Sequence, residues 1–205
     1  MLLRKLSEGR QRFRRRYSHY WLDRLVERIR RENPASDCTV SVTGRVLAIL
    51  RSELLAAELV VPGINIVTND GDVWYAQRGA GETVGDDFLH ANAGLRLGNN
   101  NTAPTKSDTD VTAFLSGTAI ARDSGYPKTD DDDARNVSDA DVNVLTWRYS
   151  YGTSDGNASG IIEGAIVDNR TTPTAALTHF LFAEAFSKTT SDTLAVFVNH
   201  ELTGA

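Results

Sequence analysis

The chain has 205 residues, 40% hydrophobic and 24% charged, which excludes collagen-like, purely coiled-coil and wholly disordered proteins. Its formal net charge of -5 is unevenly divided, because residues 1–51 carry a net charge of +8 and the remainder carry -13. No stretch approaches 18 uncharged apolar residues, and one cysteine, Cys38, cannot form an intrachain disulfide. We therefore expect no membrane span and no secretory signal, with synthesis in the cytoplasm.

The N-terminal segment predicts a basic amphipathic helix over residues 7–32, which we call the arm. Its apolar side chains recur every three to four residues and form a stripe, whereas the other face is rich in arginine. Aromatic residues beside arginines are typical of protein interfaces, so the arm predicts contact with another subunit. Contact with nucleic acid and packing on the chain's own body are the alternatives. The predicted interface residues are Phe13, Tyr17, Tyr20, Trp21, Leu25, Ile29, Arg14, Arg15 and Arg16.

The residues after the arm begin with strand-like alternation and then change to helical spacing. We interpret them as a short strand at 38–42 and a helix at 45–58. Short β-branched and aromatic runs separated by turn residues follow as far as the C-terminus. The predicted strands are 64–68, 72–78, 93–97, 116–122, 142–151, 160–167, 177–186 and 193–202.

These patterns together predict an α+β fold. A basic N-terminal region that contains the helical arm, residues 1–60, precedes an acidic and mainly antiparallel β-sandwich of jelly-roll type, residues 61–205. In the strand at 142–151 the alternation places Trp147, Tyr149 and Tyr151 on one face.

Motifs for catalysis or metal binding are not found in the sequence. There is no nucleophile elbow, Walker loop or dinucleotide fingerprint, and Asp86–Asp87 is an ordinary acidic pair in a Gly-rich loop. The run Asp130–Asp133 lacks the spacing of an EF-hand, so a solvated loop is favoured over a calcium site. We expect no catalytic, cofactor-binding or metal-binding residue. Structural or surface roles are expected for the scattered histidines His19, His90, His179 and His200.

Two polar segments have predicted structural roles. Thr102 and Pro104 are expected to stiffen an extended loop, and the side-chain oxygens around Asp108 to cap a turn that returns the chain to the body. Such a loop would act as a latch. Lys188 and Asp192 are expected to clamp the turn before the last strand.

Four blocks in the same region resemble a family of structural proteins from tailed bacteriophages. Residues 97–110 resemble the signature "Gly-x-Gly-Thr-Thr-Ala-Pro-x-x-x-Asp-Thr-x-Leu", which is also seen near the start of tail-collar and tail-fibre proteins. Residues 66–71, 160–167 and 181–194 are similar to three further blocks, so the resemblance covers about residues 60–202. Ile162 replaces the usual Arg, and an acidic insertion lies around 123–141. The matching positions are Gly98, Thr102, Pro104, Asp108 and Thr109 in the loop and Lys188 and Asp192 in the closing block.

The resemblance implies a non-enzymatic virion component, namely a tail or neck (collar) protein, an adaptor or a capsid decoration. Its expected partners are other copies of itself, in a ring or on a capsomer, and other virion proteins. One alternative is a nucleic-acid-contacting virion protein that uses the arginines of the arm. Another is a carbohydrate-binding sandwich, which would need the rings of Trp147, Tyr149 and Tyr151 to be exposed.

Overall fold

The computed structural model describes residues 40–52, 57–85, 87–129 and 143–204. These residues form one long-stranded sheet and one helix. None of their helices is both long enough and apolar enough to cross a membrane. The elements are β1 (Val40–Ser52), β2 (Ala57–Val67), α1 (Asn69–Ala80), β3 (Gly94–Gly98), β4 (Val144–Tyr151), β5 (Ala158–Val167), β6 (Ala176–Lys188) and β7 (Asp192–Gly204).

All seven strands belong to a single antiparallel sheet in the order β3-β5-β6-β2-β1-β7-β4. The sheet curls, so its inner face encloses the main core and its outer face points away from it. Trp147 on β4, Val198 on β7 and Val46 on β1 lie in one cross-strand row of the inner face. Their sequence neighbours point outward because side chains alternate along a strand.

The predicted β-sandwich is wrong, because the described strands form one sheet rather than two. Alternation along a strand marks which side chains face a core, but it does not say whether that core is closed by a second sheet or by the curl of the same one. Five of the predicted strands were correct, whereas those at 72–78 and 116–122 were not. Those at 93–97, 142–151, 160–167, 177–186 and 193–202 coincide with β3 to β7.

The helix predicted over 45–58 is also wrong, because residues 45–52 and 57–58 lie in the paired antiparallel strands β1 and β2. Leu47 and Ile49 point to the outer face, whereas Val46 and Ala48 point to the inner core, so apolar residues occupy both faces of β1. Such a run has no clear period of two, and this made it look helical. The predicted boundary between residues 60 and 61 falls within β2, and the arm lies outside the described residues.

The helix α1 occupies residues that were predicted as a strand at 72–78. Thr68 caps its N-terminus by accepting the Gly71 N–H, and Gly81 ends it in a left-handed conformation, φ 73°. Trp74 is its large buried residue and lies 6.0 Å from Trp147, ring centroid to centroid. The helix therefore covers one end of the inner core.

The connection between β3 and β4 joins the two edge strands of the sheet. Ile120 exchanges two backbone hydrogen bonds with Leu95 on β3, and Lys128 exchanges two with Thr146 on β4. The predicted strand at 116–122 is reduced to the single bridge at Ile120. In the interior, the Tyr151 hydroxyl donates to the Thr118 carbonyl over 2.8 Å. This segment therefore closes the open side of the curled sheet.

Replacing Tyr151 with Phe tests this closure. The substitution leaves the buried Thr118 carbonyl without its donor, so we expect a loss of about 1–3 kcal/mol in the free energy of unfolding, measured by urea denaturation. Tyr149→Phe is the matched control, because the buried Tyr149 hydroxyl has no hydrogen-bond partner among the described residues. Equal losses in the two variants would contradict the closing role of Tyr151.

Candidate functional site: a loop latched by Asp108, His179 and Glu163

The loop at residues 99–113 leaves β3 and crosses the outer face of β5 and β6. Val111 packs there in a small buried cluster with Ala165, Val167 and Ala176. This loop contains the positions that resemble the phage signature, and its course follows from what holds it to the sheet.

Glu163 on β5 is the main acceptor for the loop backbone, and its side chain is fully buried. Its Oε1 accepts N–H groups of Asn100 at 3.1 Å and Ala113 at 2.8 Å, and its Oε2 accepts the Thr112 N–H at 2.9 Å. One buried carboxylate thus gathers both ends of the loop, since charge-assisted hydrogen bonds are the strong ones.

His179 on β6 lies between two carboxylates. Its Nδ1 is 2.6 Å from Asp108 Oδ2 and its Nε2 is 3.0 Å from Glu163 Oε2. Ionised carboxylates only accept hydrogen bonds, so this geometry favours an imidazolium that donates from both nitrogens. The imidazole is buried, and it joins the loop at Asp108 to the sheet at Glu163.

The pKa directions agree with this arrangement. Burial alone would lower the pKa of His179, but hydrogen bonds and charge attraction from Asp108 and Glu163 outweigh it and raise that pKa above 6.5. Burial alone would raise the pKa values of Asp108 and Glu163, but hydrogen bonds from His179 and from the loop outweigh it and lower both. The three groups therefore hold each other in their charged forms.

Asp108 also organises its own turn. Its carboxylate accepts the Thr105 N–H at 2.8 Å and the Thr105 hydroxyl at 2.6 Å. This is the kind of side-chain cap predicted for this segment, and the link to His179 adds a tertiary contact that no local pattern shows. Pro104 is buried, whereas Thr102 and Thr109 are exposed.

Gly98, at the start of the loop, is required by a close approach. A Cβ at this position would lie 2.4 Å from Glu163 Oε1 and 2.6 Å from the Ala113 carbonyl oxygen. The glycine thus lets the carboxylate reach the loop backbone, which is a common reason for Gly where another group comes near the chain.

Gly98→Ala is expected to lower the free energy of unfolding by about 2 kcal/mol, in the range of overpacking substitutions. The measurement is chemical denaturation of the full chain. Gly79→Ala is the control, because nothing lies within 4 Å of a Cβ placed there. A Gly98→Ala chain as stable as this control would contradict the close packing of Glu163 against the loop.

A second ion pair ties the end of the loop to β3. The largely buried Arg96 lies 3.0 Å from Asp110, its NH1 donates to the Arg170 carbonyl at 2.8 Å, and its guanidinium stacks 3.6 Å above the Phe114 ring. No role was predicted for Arg96 or Glu163 from the sequence, and His179 was predicted only to be structural or exposed. The pairing of β3, β5 and β6 that brings them together was the missing information.

The closing block clamps the turn between β6 and β7. Asp192 Oδ2 accepts the N–H and the hydroxyl of Thr189 at 2.8 and 2.7 Å. The buried Lys188 donates to the Asn157 Oδ1 at 2.9 Å, and burial lowers its pKa against the attraction of Asp192 and Asp155. Lys188 therefore joins this turn to the one that precedes β5.

Other predicted positions are not part of the latch, which consists of Asp108, His179 and Glu163. His90 is exposed, and Asp87 forms an ion pair with Arg78 at 2.9 Å. Trp147, Tyr149 and Tyr151 are buried in the inner core, so a carbohydrate cannot stack on them. The arm, Cys38, Asp86 and the Asp130–Asp133 run lie outside the described residues.

The charged groups of this site hold the loop to the sheet. Both nitrogens of His179 face carboxylates, so neither is free to take a proton from a substrate. Within the part of the chain that the structure describes, no three His, Cys, Asp or Glu side chains are grouped to hold a metal ion. The groove beside the loop, of about 440 Å³, is lined by uncharged residues from Asn99–Asn101, β5 and β6.

No protein-family model matches this chain, and neither a curated protein nor a solved structure matches it. The likeness to phage structural proteins consequently depends on the motif residues alone. Two of these motif residues hold the loop in the structure. Gly98 lies at its start, and Asp108 contacts His179.

Proposed function

We propose that this chain is a non-enzymatic structural component of a tailed virus particle. It acts as a tail or neck (collar) protein, an adaptor or a capsid decoration, and it is synthesised in the host cytoplasm and assembles through its arm. The observation that supports this most is the latch, in which the buried groups of His179 and Glu163 bind Asp108 and fix a surface loop to the sheet. A rigid exposed loop suits a protein whose work is to present a surface to neighbours.

The charge distribution supports assembly with other copies. Residues 1–51 carry +8 and the remainder -13, so the basic segment of one copy is attracted to the acidic domain of another. Symmetric oligomers arise when one such contact is repeated and closes.

The test is the mass of the purified full-length chain over a range of concentrations, measured by light scattering after size-exclusion chromatography. We expect one defined oligomer, visible as a ring or cluster by electron microscopy, that dissociates when Phe13 and Trp21 are both replaced with Ala. The matched control is Val73→Ala, at an exposed apolar position of α1. A monomer at all concentrations would refute assembly through the arm.

The second candidate is a virion protein that contacts nucleic acid, and the arginines of the arm favour it. Neutralising about six phosphates would make the affinity for duplex DNA fall about 10³-fold between 50 and 200 mM salt. An arm used only between subunits would instead give no DNA binding at either salt concentration.

A further inference from the structure

A group of apolar side chains on the outer face of the sheet is not explained by the latch. Leu47 and Ile49 on β1, Val60 on β2, and Ala195 and Phe197 on β7 form this outer apolar cluster. Leu47, Ile49 and Phe197 are only 9%, 3% and 0% exposed. Side chains on the outer face of a sheet stay out of water only where something covers them.

The described residues provide little of that cover. No apolar side chain from another layer of the described chain joins the outer apolar cluster. Trp74 shows that α1 lies on the inner side, and the latched loop lies over β5 and β6. Arg148 reaches the Phe197 ring at 5.5 Å and the Tyr126 ring at 5.8 Å, so the described loop at Tyr126 covers only the edge of the cluster that lies next to β4.

Among the segments outside the described residues, one has the apolar side chains needed to cover the outer apolar cluster. Residues 53–56 are only four, and residues 130–142 contain six Asp and few large apolar side chains. Residues 1–39 contain the aromatic and aliphatic stripe of the arm, and they lead directly into β1 at Val40.

The length of the arm as a helix also agrees with the length of β1. As a helix, residues 7–32 would extend about 39 Å, and β1, with 13 residues, extends about 43 Å. The seven connecting residues 33–39 can span up to about 23 Å, which is enough to reverse the chain and lay the arm along β1.

We propose that the apolar stripe of the arm packs on the outer apolar cluster of its own chain. Its opposite face, which includes Arg15 and Arg16, then remains outside as a basic surface for the acidic domain of a neighbouring copy. The contact with a neighbouring copy rests on the proposed function, whereas the packing of the stripe on its own chain does not. The stripe, predicted from the sequence to contact another subunit, would instead cover the sheet of its own chain, and assembly would use the arginines. Replacing Phe13 and Trp21 would then dissociate the oligomer by undocking the arm that presents these arginines.

The test uses the tryptophans of the full-length chain. Trp74 and Trp147 are 4% and 0% exposed, so a change in acrylamide quenching reports mainly on Trp21 in the arm. We expect weak quenching in the unmodified chain and, in Ile49→Asp, a rise in the quenchable emission by the share of one tryptophan in three. Leu25→Asp should give the same rise without altering the sheet, which covers the case in which Ile49→Asp fails to fold.

Val73→Asp is the matched control, because it adds the same charge to an apolar residue that is 55% exposed on α1. Its quenching should equal that of the unmodified chain. Strong quenching of Trp21 in the unmodified chain would overturn the proposal, as would no change in Leu25→Asp. Shielding that disappears on dilution would also overturn it, because the arm would then lie on another copy.

One double variant separates the docked arm from the assembly proposed above. Arg15→Gln/Arg16→Gln should keep Trp21 shielded and weaken the oligomer. If Trp21 is shielded but no oligomer ever forms, the docked arm is supported and assembly is refuted. If a defined oligomer forms while Trp21 is open to acrylamide, assembly is supported and the docked arm is refuted.

Discussion

Replacing His179 with Leu is expected to lower the free energy of unfolding by about 3–5 kcal/mol, the usual result of removing one partner from a buried ion pair. The substitution leaves the carboxylates of Asp108 and Glu163 facing each other without the imidazolium between them. Glu163, fully buried, cannot regain water unless the loop moves. Urea denaturation measures the loss, and amide hydrogen exchange at Asn100, Thr112 and Ala113 reports whether the loop is released.

His90→Leu is the matched control, since His90 is exposed, and it should change stability by less than about 0.5 kcal/mol. In the double variant Asp108→Asn/His179→Leu, one of the two opposed charges is gone, so its cost should be smaller than the sum of the single costs. A loss below about 1 kcal/mol for His179→Leu, or strict additivity in the double variant, would show that the latch does not fasten the loop.

The free energy of unfolding is expected to be greatest near pH 6.5, because two buried histidines act in opposite directions. Burial lowers the pKa of His200 to about 3, and its Nδ1 lies 2.5 Å from the Tyr75 hydroxyl. Between pH 3 and 6.5 the unfolded chain therefore binds a proton that the folded chain does not, and acidification costs up to about 1.4 kcal/mol per pH unit.

His179 determines how the stability falls on the alkaline side of this maximum. Its pKa is raised in the folded chain, so its stabilising effect is complete below pH 6.5 and is lost as the pH rises through the folded value. Asp108 and Glu163 have lowered pKa values, and their contribution is lost only when the pH falls below their ordinary values of 3.8 and 4.5. Between pH 4.5 and 6.5, His200 is thus the one of these four groups whose protonation changes the stability.

Chemical denaturation at a series of pH values tests these assignments. His200→Asn should flatten the acid side between pH 4.5 and 6.5, and His179→Gln should flatten the alkaline side. His90→Gln serves as the control and should leave the profile unchanged in shape. An acid side that stays steep in His200→Asn would refute the assignment to His200.

Several features of the fold could be predicted because they depend on neighbours in sequence. The alternation in β4 identified Trp147, Tyr149 and Tyr151 as facing one way, and all three are buried in the inner core. The oxygens around Asp108 indicated a capped turn, and Thr105 completes that turn. Local hydrogen bonds and period-two burial are properties of short segments, so a short segment reveals them.

The errors have a common origin in contacts that span the chain. The apolar run in β1 looked helical because it is buried on both faces, which depends on what lies across the sheet. The strands form one curled sheet and not the expected sandwich, since the pattern of a strand does not specify which strands it pairs with. His179 lies 71 positions from Asp108 and 16 from Glu163, and no spacing rule links the three.

The amino-acid order alone therefore determined the extended segments of β3 to β7, the apolar face of β4 and the capped turn at Asp108, because these follow from the chemistry of adjacent residues. Only the tertiary structure decided that β3, β5 and β6 lie side by side and that an imidazole stands between two distant carboxylates. Strand order is set by the summed burial and pairing of the whole chain, and the latch exists only once that order is formed.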